Sequence, residues 1–249
     1  MRGLLGWACM IVGAAVDVER PQGLPRPLRF ASLLRIRPVP ANPPMTPHPI
    51  DLEFRQAWHA VGAHDAADTC LAALRRAWRE PQRHYHSLQH LSECLDLLRA
   101  HRELAERPHE LVLALWFHDA VYDPRAKDNE QRSADWARQA LGEAGADPAA
   151  TARIHALILD TAHAVEPAPG DPSLLVDIDL AILGAVPERF AEYEQQVRAE
   201  YAWVPGFLFR YKRRQLLREF ARREPLYRTP ALRERLLAQA RINLAGAIG

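Results

Sequence analysis

The chain of 249 residues has ordinary globular composition, with 48% hydrophobic and 25% charged side chains, which excludes disorder over most of its length. Its formal net charge of +1 excludes a whole-molecule field that would gather nucleic acid or acidic lipid. Three scattered cysteines exclude a disulfide framework and a close C-x-x-C site, and they favour a reducing cytoplasm.

The first 49 residues differ from the rest in composition. Nine of the twenty prolines lie between residues 21 and 49, and that density excludes helices and strands. We therefore expect an unstructured extension over residues 1–49, a single domain over residues 50–249, and no membrane segment.

Two interpretations of the N-terminus remain open. Arg2 and the apolar run 3–16 resemble a secretory signal peptide that is too short to span a bilayer. Alternatively, translation begins at Met45 and the upstream residues are a gene-start error. We favour the second interpretation and a cytoplasmic protein, because the cysteine usage is that of a reducing compartment.

Beyond residue 50 the apolar residues recur at helical spacing, and alternating period-two segments are almost absent. Residues 111–117 are apolar on all sides, which predicts a helix buried in the middle of a bundle. The sequence therefore predicts an all-α fold. The predicted helical segments, bounded by Pro, Gly, Asp or Asn, are 52–61, 67–78, 88–98, 111–117, 129–141, 148–159, 173–183, 187–201, 207–221 and 230–245.

A histidine pair opens the first segment that carries chemistry. His86 and His90 lie four residues apart near a predicted helix start, so both imidazoles would project from one face. Such a pair can share a metal, or one ring can bind it while the other moves protons. The competing interpretation is two histidines that fill the surface or the core.

A His-Asp doublet, His118 and Asp119, ends the wholly apolar segment. Burial of these groups is costly unless something compensates the carboxylate and fixes the imidazole, and a divalent cation does both. The alternative is a charged histidine near the negative end of the helix dipole, with Asp119 in a solvated turn.

Two aspartates interrupt a third apolar run. Asp177 and Asp179 point about 200° apart on a helix, so at most one faces the interior. Asp179 is the candidate for the last metal ligand, and Asp177 is expected to cap or to bond backbone. Both carboxylates could instead be early helix residues favoured by the dipole.

Together these segments resemble the HD superfamily of metal-dependent phosphohydrolases, in particular a bacterial subgroup of predicted metal-dependent HD phosphohydrolases. The resemblance spans roughly residues 50–245. Its motifs are RHYHSLQH from residue 83, WFHDAVYDP from residue 116, DNExxS from residue 128, DIDLAILG from residue 177 and RAEY from residue 198.

The resemblance implies an HD-domain-like helical bundle and a divalent metal, Mn, Fe, Co, Ni, Zn or Mg. It implies hydrolysis of a phosphoester or phosphoanhydride, in a nucleotide or other small phosphorylated metabolite, by a metal-activated water. The implied metal ligands are His90, His118, Asp119 and Asp179.

The first ligand is ambiguous. The similar Tyr-His-Asn-x-x-His segment of cyclic-nucleotide phosphodiesterases makes His90 the ligand and His86 the acid, although Ser87 replaces the Asn. The simplest superfamily members would make His86 the ligand. We favour His90, with His86 as catalytic acid or second ligand.

Further roles are implied for residues around these motifs. Asp123 and Glu130 resemble a water-positioning acidic pair, although their spacing departs from the pattern. Arg83 and Arg125 are cationic candidates for phosphate, with surface charge as the alternative. The candidate substrate-binding residues are Lys127, His155, His163, Tyr201 and Arg214.

Two other functions compete with hydrolysis. A regulatory or sensor protein that binds metal without turnover is the alternative to an enzyme. Nucleic-acid binding through the basic stretch 210–223 is not expected, because apolar residues at helical spacing and glutamates interrupt it. The expected partner is therefore a small phosphorylated substrate.

Overall fold

The structure, a computed structural model, describes residues 49–249, and every regular element within that range is helical. The all-α prediction is therefore confirmed. The interpretations of residues 1–48 and of Met45 lie outside the described residues. Between residues 49 and 249, no helix is both long enough and apolar enough to cross a bilayer.

Ten α-helices and two 3₁₀ helices make up the described part of the chain. The α-helices are α1 (Pro49–Ala60), α2 (Ala67–Ala77), α3 (Leu88–Ala100), α4 (Pro108–Phe117), α5 (Asn129–Glu143), α6 (Pro148–Asp160), α7 (Asp171–Asp179), α8 (Pro187–Glu200), α9 (Gly206–Arg222) and α10 (Pro230–Ile248). The 3₁₀ helices are Arg102–Leu104 and Leu180–Gly184. Every predicted helical segment overlaps one of these elements.

Helix α4 lies at the centre of the core. All side chains from Leu111 to Phe117 are fully buried, and the helix packs against α1, α3, α5 and α6. The prediction of a buried central helix is confirmed, because a helix that is apolar on all sides needs partners on every face. Its last turn therefore ends inside the molecule, where His118 and Asp119 follow.

Prolines fix several helix starts. Pro148, Pro187 and Pro230 are the first residues of α6, α8 and α10, as the sequence predicts, since proline is favoured in the first turn. The side chain of Asp147 also accepts hydrogen bonds from the backbone N–H groups of Ala149 and Ala150 and so caps α6.

The segment predicted over 173–183 is not one continuous α-helix. Helix α7 ends at Asp179, and a 3₁₀ helix continues to Gly184. Gly184 lies against α10 so closely that an added Cβ would be 2.7 Å from the carbonyl oxygen of Leu236. The tighter 3₁₀ winding and the missing side chain thus let this segment pack directly against α10.

We expect Gly184→Ala to lower the free energy of unfolding by about 1–3 kcal/mol, because the new methyl group would overlap α10 backbone. Gly142→Ala is the matched control, since no atom lies within 4 Å of the added Cβ, and it should stabilise helix α5 by about 0.5–1 kcal/mol. Urea unfolding of both variants measures the difference. Equal stability of the two variants would contradict the close packing.

Candidate metal centre

Four side chains from three helical segments converge beyond the end of α4. His90 lies on α3, His118 and Asp119 follow the last residue of α4, and Asp179 ends α7. His90 and His118 are 2% and 1% exposed. The structure thus brings together the four residues that the resemblance implied as ligands.

The ligand atoms are spaced as around one cation. Nε2 of His90 lies 3.2 Å from Nε2 of His118 and 3.2 Å from Oδ1 of Asp179. Nε2 of His118 lies 3.0 Å from Oδ2 of Asp119 and 3.6 Å from Oδ1 of Asp179, and Nε2 of His90 lies 3.9 Å from Oδ2 of Asp119. Neighbouring ligands bound at about 2.0–2.2 Å are themselves about 2.8–3.6 Å apart in octahedral or tetrahedral arrangements. Four of the five distances lie in that range, and a small shift of Asp119 would bring the fifth into it, so the spacing suits one divalent ion.

The ring of His118 is oriented as a metal ligand. Its Nδ1 lies 2.8 Å from the carbonyl oxygen of Leu115, which can only accept, so Nδ1 carries the proton and Nε2 of the neutral ring presents a lone pair. That lone pair points towards Nε2 of His90. Two imidazole nitrogens at this distance need a proton or a cation between them.

The two ligand carboxylates are largely but not fully buried, with side chains 15% and 14% exposed, and their ion pairs, among residues 49–249, are with histidines alone. Burial acts to raise the pKa of Asp119, but attraction to the rings of His118 and His86 outweighs it and lowers that pKa. Burial also acts to raise the pKa of Asp179. Hydrogen bonds from the surrounding imidazoles outweigh this effect, so the pKa of Asp179 lies well below its ordinary value. Both groups stay ionised at neutral pH, so a dication would neutralise them.

Burial and the charge of Asp119 have opposite effects on the pKa of His118. Burial lowers the pKa of its imidazole, but the negative charge of Asp119 raises it well above the ordinary value. A proton on this ring therefore balances part of the carboxylate charge when no cation is bound. Cation binding would displace that proton, since a histidine ligand is neutral.

Cys94 offers a second ligand group that sequence analysis did not consider. It lies one turn after His90 on α3, with Sγ 3.7 Å from Nδ1 of that ring, and with His90 and Asp179 it forms another group able to hold a metal. Burial raises the pKa of its thiol well above the ordinary value. Because a metal binds the thiolate, this favours the imidazole and carboxylate set at neutral pH.

A buried glutamate holds the turn that precedes α3. Oε1 of Glu200 accepts the backbone N–H groups of His84, Tyr85 and His86 at 2.8–2.9 Å. Its Oε2 lies 2.7 Å from Nδ1 of His86 and accepts the hydroxyl of Tyr122 at 2.8 Å. Burial acts to raise the pKa of Glu200, but the charge of His86 and these hydrogen bonds lower it to about 2. Glu200 is therefore an ionised partner that fixes the His86 ring.

The prediction that His86 and His90 share one helical face is wrong. Helix α3 begins at Leu88 with Ser87 as its N-cap, so His86 precedes the helix and Glu200 orients its ring. The ring centroids of the two histidines are 6.2 Å apart. They therefore belong to two adjacent groups, the metal cluster and a His86–Glu200 pair.

Arg83 connects these two groups through the backbone. Its buried guanidinium donates to the carbonyl oxygens of Asp119 at 2.7 Å, Ala120 at 3.0 Å and His86 at 3.2 Å. Its role as a phosphate-binding candidate is not favoured, because its donors are used inside the protein. Arg83 instead holds the His-Asp doublet beside His86.

A cavity of about 180 Å³ lies next to the metal cluster. His86, His118, Asp119 and Asp179 line it. Other site candidates from the sequence that line it are Asp123, Lys127, Glu130, His163 and Tyr201.

The acidic candidates at the cavity differ in their surroundings. Asp123 accepts the backbone N–H of Arg125 at 2.8 Å and so stabilises its own turn. Burial, followed by repulsion from Asp119, raises the pKa of Glu130. Glu130 is therefore the better placed of the two to exchange a proton with a group in the cavity.

His155 and His163 do not lie on one continuous helix. Helix α6 ends at Asp160, and His163 follows with a left-handed φ of 53°. As a result, Nε2 of His163 lies 3.1 Å from Oδ2 of Asp179, whereas Nε2 of His155 lies 3.2 Å from Oδ1 of Asp135 and His155 does not line the cavity.

The basic segment on α9 contributes a different residue from the one predicted. Arg214 donates to the carbonyl oxygen of Gly249 at 3.1 Å and does not line the cavity. Its neighbour Arg213 lines the cavity, is buried and pairs with Glu194. One residue along a helix turns a side chain by about 100°, so adjacent arginines face different surroundings.

Asp177 bonds backbone, as the sequence predicts. Its carboxylate accepts the N–H of Arg228 at 2.8 Å and that of Thr229 at 2.6 Å. These bonds hold the chain ahead of α10 against α7. Asp177 is thus a structural neighbour of the ligand Asp179.

Comparison of the chain with protein families, with characterised proteins and with solved structures finds no match. Functional inference therefore depends on the geometry of this site and on the motifs. Besides Cys94, the residues that sequence reasoning missed are Glu200 and Arg213. Glu200 stands in the RAEY motif, but its pairing with His86, 114 residues away, has no local signal.

We expect the protein to bind one Mn²⁺ per chain and Asp119→Asn to abolish that binding, because a ligand and a charge are lost. At an ion concentration of 100 times Kd, binding should add about 2.7 kcal/mol to the free energy of unfolding. Asp123→Asn is the matched control, since Asp123 lines the cavity outside the ligand cluster. Calorimetry on the three proteins tests this, and retained binding in Asp119→Asn would contradict the ligand set.

We expect Glu200→Gln to lower the pKa of His86. Burial lowers that pKa and Glu200 is the main group that raises it, so removal of its charge leaves burial dominant. Titration of the His86 ring protons by NMR measures the shift, with the exposed Glu192→Gln on the same helix as control. An unchanged His86 titration in Glu200→Gln would refute the pairing.

Proposed function

We propose that this chain is a cytoplasmic metal-dependent phosphohydrolase of the HD superfamily. Its substrate would be a phosphoester or phosphoanhydride in a nucleotide or other small phosphorylated metabolite. The observation that carries the proposal is the cluster in which the imidazoles of His90 and His118 each lie within 3.9 Å of Asp119 and Asp179, beside a cavity that the carboxylate-bound His86 also lines.

The residues present fit a divalent cation. His90, His118, Asp119 and Asp179 would hold one ion, and mixed nitrogen and oxygen ligands suit Mn²⁺, Fe²⁺, Co²⁺, Ni²⁺ or Zn²⁺ better than Mg²⁺. When bound, such an ion supplies Lewis-acid chemistry, by polarising a phosphoryl oxygen and lowering the pKa of a water ligand to about 7.

His86 is the proposed general acid. Glu200 lies against Nδ1, so that nitrogen keeps its proton and the other ring nitrogen is left to exchange a proton with the cavity. Glu200 and Asp119 also raise the pKa of His86 against the effect of burial, which favours the imidazolium that can donate. The ring stacks on Tyr122 with centroids 4.1 Å apart, so its orientation is fixed before substrate enters.

Glu130 and Lys127 are the proposed groups for water and phosphate. Glu130 lies in the cavity with a raised pKa, which suits a group that accepts a proton from the attacking water. Lys127 lines the cavity, is exposed and takes part in none of the ion pairs within residues 49–249, so its ammonium group is available for a phosphate oxygen.

We expect His86→Ala to retain metal but to lose about 10²–10⁴-fold in kcat on an alkyl phosphate, whose alkoxide leaving group needs a proton. The loss should be much smaller on 4-nitrophenyl phosphate, because 4-nitrophenolate departs without protonation. Metal content and steady-state kinetics on both substrates measure this. Loss of metal in the variant would make His86 a ligand instead.

The alternative sensor function has a distinct outcome. A sensor would bind the metal but release no phosphate from a panel of nucleotides and sugar phosphates with Mn²⁺, Co²⁺, Ni²⁺ or Mg²⁺. We expect phosphate release from at least one member of the panel, and Asp119→Ala should lose both the metal and that activity.

A further inference from the structure

The cavity has an apolar wall directly beside the metal cluster. The 3₁₀ helix that follows the ligand Asp179 contributes part of this wall, and α8 and α9 contribute the rest. The apolar side chains that line the cavity are Leu180, Ile182, Leu183, Val197, Leu216 and Phe220. A substrate whose phosphoryl group reached the metal cluster would therefore place its organic group against hydrocarbon.

The charges around the cavity fit one phosphoryl group. Apart from the ligand cluster and the proposed acid His86, its lining carries the cations Lys127 and Arg213 and the carboxylates Asp123 and Glu130. Arg213 already pairs with Glu194. A triphosphate brings several negative charges, whereas a single phosphate brings at most two, and in a lining whose bound dication would already be neutralised by Asp119 and Asp179 the smaller charge is the easier to accommodate.

The volume of the cavity also favours a small substrate. Its volume of about 180 Å³ is below the roughly 300–1,000 Å³ of pockets that enclose drug-sized ligands. The space beside the metal cluster therefore suits a phosphoryl group with a compact organic group.

We propose that the substrate is a phosphomonoester with a compact, apolar organic group, and that the wall formed by Leu180, Val197 and Leu216 with their neighbours is the subsite for that group. This inference rests on the proposed function for the reaction itself. Apolar surface of the wall and of the organic group that leaves water on binding supplies the preference for an apolar group.

Binding of non-hydrolysable phosphonates tests the subsite without turnover. With the Mn²⁺-loaded protein, calorimetry should give a Kd for phenylphosphonate at least tenfold lower than that for methylphosphonate. Both probes carry the same phosphonate group, so the difference reports the apolar wall. Equal Kd values, or tighter binding of inorganic triphosphate than of phenylphosphonate, would overturn the inference.

A variant of the apolar wall tests whether the preference for phenylphosphonate arises there. Leu216→Phe adds volume to the wall and should reduce the ratio of methylphosphonate Kd to phenylphosphonate Kd at least fivefold. Leu208→Phe is the matched control, with the same change on the same helix at a position that does not line the cavity, and it should keep the ratio. A Leu216→Phe variant that folds and keeps the ratio would overturn this placement. The two-probe comparison on the unchanged protein stands even where the variant fails to fold.

Hydrolysis separates this inference from the proposed function. Faster hydrolysis of phenyl phosphate than of glycerol phosphate or ATP, by at least tenfold in kcat/KM, supports both. Hydrolysis with the opposite preference overturns the subsite alone. Tight phenylphosphonate binding without hydrolysis of any ester supports the subsite and overturns the enzyme.

Discussion

Two ionised carboxylates meet two imidazoles in the interior, and the balance of their charge is the constraint on which the site depends. Asp119 and Asp179 are held by histidines alone within the described part of the chain. Isolated buried carboxylates would cost several kcal/mol each. Protons on the imidazoles or one dication can balance them, and these two solutions compete, so metal affinity should fall as the pH decreases and the rings become protonated.

The apolar helix α4 positions the cluster of carboxylates and imidazoles. Because α4 is buried on all sides, its C-terminal end lies in the interior, and Nδ1 of His118 donates to Leu115, one of the carbonyls that a helix end leaves unpaired. Helices α3 and α7 bring His90 and Asp179 to the same end. Glu200 fixes the turn before α3, and Arg83 donates to the carbonyl oxygens of both Asp119 and His86, so the proposed acid is held beside the proposed ligands.

The sequence predicts those features whose signal is local. Apolar periodicity predicted the helices, and polar residues that interrupt apolar runs pointed to His118, Asp119 and Asp179. The pairing of His86 with Glu200 could not be predicted in this way, because it joins residues 114 positions apart. Whether His155 or His163 reaches the cavity depends on where α6 ends. Whether Arg213 or Arg214 lines the cavity depends on the rotation of α9 about its axis. A single sequence defines helix ends and rotations only to within a residue or two.

The most direct test of the account is a crystal structure of the protein grown with Mn²⁺ and measured at a wavelength where manganese scatters anomalously. We predict one anomalous peak about 2.0–2.3 Å from Nε2 of His90, Nε2 of His118 and a carboxylate oxygen of both Asp119 and Asp179. An ion bound elsewhere, or ligand atoms that stay apart with no peak between them at saturating Mn²⁺, would contradict the central claim.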